Sequence, residues 1–164
     1  MSCARQVGER MASVTAMEPN DEREVKHLCR TLEALETLRR ALEDATSALA
    51  MEVEFSAGVG PAMGIEKMPS LRCRANGAAS EVEIYIEDPL LAYVEVRAAD
   101  WVASSNELRA DRLETQDGVQ WLATLIAGRW AVKRRFWFFG SRGLRTSRRE
   151  PFLFLDTRHQ LGVH

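Results

Sequence analysis

Residues 20–50 run without a glycine or proline, and this stretch constrains the fold more than any other feature of the chain. Pro19 precedes Asn20 and Asp21, and Asp21 with Glu24 has the spacing of a capping box. Asp21, Glu22 and Glu24 fall in the first turn, where they complement the positive end of a helix dipole. Val25, Leu28, Leu32, Leu35, Leu38, Leu42, Ala45 and Leu49 then recur at alternating steps of three and four, the signature of an amphipathic helix. At 1.5 Å per residue such a helix is about 45 Å long. It must lie across a whole layer of a domain or against a second helix.

Both partners are open from the pattern alone. Leu28, Leu35, Leu42 and Leu49 keep an unbroken seven-residue spacing, which makes them a candidate dimer seam. A helix packed on a sheet also buries an apolar residue every three or four positions. The companion seam is interrupted, because Arg39 and Thr46 continue the spacing begun by Val25 and Leu32. Residues 18–24 are acidic, which excludes a basic-zipper DNA reader.

After Met51 the period changes to two. Met51, Val53 and Phe55 alternate with Glu52, Glu54 and Ser56, predicting a strand, and Gly58, Gly60, Pro61 and Gly64 predict a loop. Residues 70–74 are a short strand candidate, and Asn76-Gly77 supplies a turn. In residues 81–87, Val82, Ile84 and Ile86 face one way, while Glu81, Glu83, Tyr85 and Glu87 face a side expected to be wet. Residues 92–97 alternate again, completing an antiparallel meander. Residues 98–114 lean to strand or loop. Residues 115–127 predict a second, short helix ended by Gly128. A strand over 129–139, a turn over 140–147 and a last strand over 151–155 close the domain. The class is therefore α+β: a long N-terminal helix packed on a mainly antiparallel sheet of about five or six strands, with a second short helix.

The 164 residues fit one domain, expected over 20–158 between a flexible leader (1–19) and a flexible tail (159–164). No apolar run approaches the roughly 20 residues of a membrane helix. Cys3, Cys29 and Cys73 are odd in number and widely spaced, a pattern without a disulfide framework or a zinc-ligand pair, and one that suits a reducing, cytoplasmic setting.

Charge is divided along the chain. Residues 1–128 carry a net charge of −9, and residues 129–164 carry +7. The basic segment 129–149 interleaves arginines with Trp130, Phe136, Trp137, Phe138 and Phe139. Guanidinium groups pair with phosphates and exposed aromatic faces stack on bases. Arg142, Arg145, Arg148 and Arg149, with Trp137 as a stacking surface, are thus candidate polyanion contacts at the tip of a hairpin. The competing account balances Lys133 and Arg135 against the meander acids Glu81, Glu83 and Glu87 across neighbouring strands. On either account Trp130, Val132, Phe136 and Phe138 share an inward face.

Three histidines, His27, His159 and His164, form no ligand or triad spacing, and the glycine loop at 58–64 matches no phosphate-binding motif. The expectation is a small cytoplasmic, non-enzymatic protein-interaction domain of adaptor or chaperone-like kind, without a cofactor. It has a protein partner and a candidate homodimer interface on the long helix. The alternative is nucleic-acid or other polyanion binding through residues 129–149.

Overall fold

A computed structural model of the chain describes residues 22–62, 65–88, 90–134, 142–146, 151 and 153–155. The expected leader and tail lie outside them. The chain order is helix α1 (Glu22–Ala48), strands β1 (Val53–Ala62), β2 (Ile65–Ala75), β3 (Glu81–Asp88), β4 (Leu91–Arg97) and β5 (Val102–Ser105), helices α2 (Ala110–Leu113) and α3 (Gln116–Ile126), then β6 (Ala131–Arg134), β7 (Arg142–Arg145) and β8 (Leu153–Leu155). All eight strands form one sheet in the order β1-β2-β3-β4-β5-β8-β7-β6, and each neighbouring pair is antiparallel. The fold is α+β as expected, with eight strands among the described residues in place of five or six.

The differences in strand length and number have physical causes. β1 continues through Gly58, Gly60 and Pro61, which were expected to form a loop. It is the outermost strand, and an edge tolerates proline because one side of its backbone needs no ladder bond. A register shift between Gly60 and Ala62 absorbs the irregularity. Arg142 and Arg145, expected in a turn, belong instead to β7. Residues 142–145 alternate, with Leu144 fully buried, and that period of two selects a strand. Residues 98–114 resolve into β5, a bridge between Ala92 and Leu108, and the single turn of α2.

Both long helices cover one face of the sheet. α1 packs on β1, β2 and β3 and against α3, which itself covers β2 and β3. The core between the layers holds Leu35, Leu38 and Leu42 of α1, Leu71, Cys73, Val82, Ile84, Val94 and Val96 of the sheet, and Val119, Leu122, Leu125 and Ile126 of α3. Thr46, which breaks the apolar pattern of α1, is buried without penalty because its hydroxyl donates to the Leu42 carbonyl at 2.7 Å. On the outer side of α1, Arg39 donates to Glu36 and Glu43. Cys73 is buried, and burial pushes its thiol well above the usual range.

α3 begins where its Thr115 cap accepts the Gly118 N–H at 3.1 Å. Gly118 also allows α2 to approach, since a Cβ there would lie 2.1 Å from the Arg112 carbonyl oxygen. The two long helices end alike. After α3, Gly128 N–H bonds the Leu125 carbonyl and Arg129 N–H the Thr124 carbonyl, with Gly128 at φ +67°. After α1, Ala50 N–H bonds the Ser47 carbonyl and Met51 N–H the Thr46 carbonyl, with Ala50 at φ +53°. Both are Schellman motifs, but the first has glycine at its left-handed position and the second an alanine. A left-handed alanine costs about 1–2 kcal/mol, partly offset by the greater freedom that glycine has when unfolded. Ala50→Gly is therefore expected to raise stability by about 0.5–1 kcal/mol, read as a higher denaturation midpoint at unchanged slope. An unchanged or lower midpoint would show that the turn is not strained.

Candidate functional site

The leucines at seven-residue spacing do not share one environment. Leu35 and Leu42 are buried in the protomer's own core, while Leu28 and Leu49, near the ends of α1, are half-buried. The seam positions at the centre of the helix thus face the sheet and α3.

The basic candidates are also separated. Arg142 stands on β7 directly opposite Arg134 of β6, and Arg145, opposite Ala131, is half-buried. Arg148, Arg149 and Trp137 lie outside the described residues, as do Arg135, Phe136, Phe138 and Phe139. Trp130 packs on the core and meets Trp101 edge-to-face, with ring centroids 5.3 Å apart. Val132, expected inward beside it, is 55% exposed, because β6 is the far edge of the sheet and α1 and α3 sit over β1–β3.

Topology overturns the charge-balancing account of the hairpin. Between β3, which carries Glu81, Glu83 and Glu87, and β6, which carries Lys133, lie β4, β5, β8 and β7. Glu83 finds its counter-charges on the adjacent strands. Glu83, expected on a wet face, is 1% exposed. Its Oε1 accepts from Ser70 Oγ at 2.6 Å and Arg72 Nε at 3.0 Å, and its Oε2 lies 3.2 Å from Arg97 Nε. Arg97 extends the network by donating to the Tyr85 hydroxyl at 2.9 Å and to Glu95 at 2.5 Å, and Ser104 donates to Glu95 at 3.2 Å. The β-ladder register explains the meeting: Arg72, Glu83, Glu95 and Ser104 are consecutive cross-strand partners on β2 to β5. Gly58 of β1 leaves the space, since a Cβ there would lie 2.5 Å from Ser70 Oγ and 2.7 Å from Arg72 Nε. Beside the network, Met68, Tyr85 and Tyr93 form a small second core on the face away from the helices.

Desolvation acts to raise the Glu83 carboxyl, but the Ser70 and Arg72 hydrogen bonds and the Arg97 charge outweigh it and hold the group below its usual range. A carboxylate so stabilised is a weak base. The arrangement suits it to tying β2, β3 and β4 together on the open face. The sign of its pH effect follows from the depressed value. The stabilisation is present above the unfolded carboxyl value and is lost as pH falls through the lower folded value. Glu83→Gln is expected to cost about 3 kcal/mol near neutral pH, the low end for breaking a buried pair because both arginines are partly solvated. The variant should also lose part of the wild type's decline in stability below pH 4.5, so melting curves from pH 7 to pH 3 should converge. Parallel curves would assign the acid dependence to other carboxylates.

A further feature is the free edge of β1. Among the described residues its one strand neighbour is β2. The Glu52 carbonyl accepts the Asn76 N–H at 2.8 Å, so Glu54, Ser56 and Gly58 direct their backbone groups to β2, and Val53, Phe55 and Ala57 direct theirs outward. Val53 and Phe55 are half-buried against the core, and Ser56 and Ala57 are exposed. An open cleft of about 580 Å³ lies at the start of the same strand, between Glu52, Glu54, Arg74 and Asn76. Nothing in the alternation of residues 51–56 signals that the strand ends the sheet. That property depends on which strands pair, and pairing is a long-range choice.

No protein-family model, curated protein or solved structure matches the chain. No helix among the described residues is long and apolar enough to cross a membrane.

Proposed function

We propose that the protein is a non-enzymatic interaction domain that receives a partner strand along β1. The observation that carries this reading is the outward row of backbone groups on Val53, Phe55 and Ala57. Natural proteins blunt sheet edges with lysine, proline, bulges or very short strands. β1 has its proline and bulge at Pro61 and beyond Gly60. The segment Val53–Gly58 has neither, and its one charge is Glu54. Such an edge supports β-strand addition, in which main-chain bonds supply affinity and alternate side chains supply selectivity.

The test is a photo-reactive amino acid at Ser56 of the full chain in the cells that make it, with a second probe at Arg40 on the exposed side of α1. The expected result is a crosslinked adduct from position 56 that disappears when Ala57 is replaced by lysine. Adducts from position 40 alone would move the contact to the long helix and overturn the edge reading.

A second reading has its own observation. β6, β7 and β8 carry Lys133, Arg134, Arg142 and Arg145 and no acid, and the register sets Arg134 opposite Arg142. Arginine pairs readily with phosphate, so a basic pair of strands offers counter-charge to an anion laid along this edge. The reading predicts binding to random single-stranded RNA that weakens steeply between about 50 and 200 mM salt and is lost in Arg134→Glu with Arg142→Glu. No binding at low salt would leave the basic edge without a polyanion partner.

A further inference from the structure

We infer that the strand added along β1 is β1 of a second copy of this chain, paired antiparallel about a two-fold axis. This rests on the edge reading above and names its occupant.

Only outward-directed residues can exchange ladder bonds across the new edge, so Val53, Phe55 and Ala57 must meet the same set in the partner. Charge then selects the register. A pair centred on Glu54 places Glu54 against the partner's Glu54, and one centred on Val53 places Glu52 against the partner's Glu54. Both set like charges directly opposite, which is destabilising. A pair centred on Phe55 places Glu54 against the partner's Ser56 and Val53 against the partner's Ala57. One centred on Ser56 places Glu54 against the partner's Gly58 and Phe55 against the partner's Ala57. Both are free of charge conflict.

The faces agree as well. Directly opposed residues share a face, so the axis stands perpendicular to the sheet and both α1 helices lie on the same side. The half-buried Val53 and Phe55, which meet the edge on the helix-covered side, are then flanked by their own counterparts. The polar row of Glu54 and Ser56 continues along the other face. A strand of unrelated sequence would need to reproduce both patterns, and a second copy carries both already.

The experiment is sedimentation equilibrium on the full chain from about 1 to 100 μM, with Ala57→Lys, Ala57→Pro and the charge control Thr37→Lys. Ala57 is exposed and its N–H points outward, so neither change at this position removes a core contact or a β1–β2 bond. Circular dichroism and melting curves confirm the fold, and Ala57→Lys remains informative if the proline variant unfolds. The expected result is twice the chain mass for wild type and Thr37→Lys, with dissociation constants weakened about tenfold or more in the Ala57 variants. A wild type that stays at the single-chain mass to 100 μM overturns the second copy as occupant. The edge reading survives that outcome if position 56 still crosslinks to another protein, and falls with it if position 56 gives no adduct. A dimer that persists unchanged in both Ala57 variants places self-association on another surface and overturns the inference.

Discussion

The fold depends on the burial of one side of α1 against one side of the sheet. Leu35, Leu38 and Leu42 project from the helix onto a layer built by Leu71, Val82, Ile84, Val94 and Val96. Burying each such side chain contributes about 1.5–3 kcal/mol, so the contact dominates over any single polar interaction in the molecule. It also decides what remains free. A helix 27 residues long covers β1 to β3 and leaves the β6–β7 end of the sheet beyond its reach. Leu144 on β7 is fully buried while Val132 on β6 is not, which marks where that layer of the core stops.

The other face is held together differently. Among the described residues no helix packs on that face, and the centre of the sheet there is closed by the side chains of neighbouring strands. Arg72 and Arg97 lay their stems over the surface and meet at Glu83, and Met68, Tyr85 and Tyr93 pack beside them. Long cationic side chains can cover apolar surface while their heads remain partly hydrated. This explains how Glu83 is buried next to arginines that are not. The cost of removing its charge from water is met by two guanidinium groups and a hydroxyl, all from adjacent strands.

Local pattern carried α1, α3 and the meander, but not the single turn of α2 at Ala110–Leu113. α3 starts at the Thr115 cap and ends at Gly128, as composition and period indicate, because capping and φ preference act within a few residues. The strands at 81–87 and 92–97 follow from alternation for the same reason. What the pattern missed was set by pairing. The burial of Glu83 requires arginines on β2 and β4, and the strand character of residues 142–145 requires β8 as a neighbour. Seven-residue spacing was ambiguous on physical grounds, since a helix on a sheet and a helix on a helix bury nearly the same positions. The interior burial of Leu35 and Leu42 depends on partners far away in the sequence.

The two ends of the sheet are unequal in a way that bears on assembly. β1 is ten residues long, with one charge in its first six positions. β6, described over Ala131–Arg134, carries Lys133 and Arg134. Joining β1 of one molecule to β6 of the next would be a head-to-tail contact, which leaves a free edge at each step and propagates into an open filament. Joining β1 to β1 satisfies the free row of β1 and closes on itself. It leaves two β6 edges facing outward, and both are basic, a feature that discourages further strand addition. One asymmetry of charge along the sequence can thus limit assembly at one edge while leaving the opposite edge open to it.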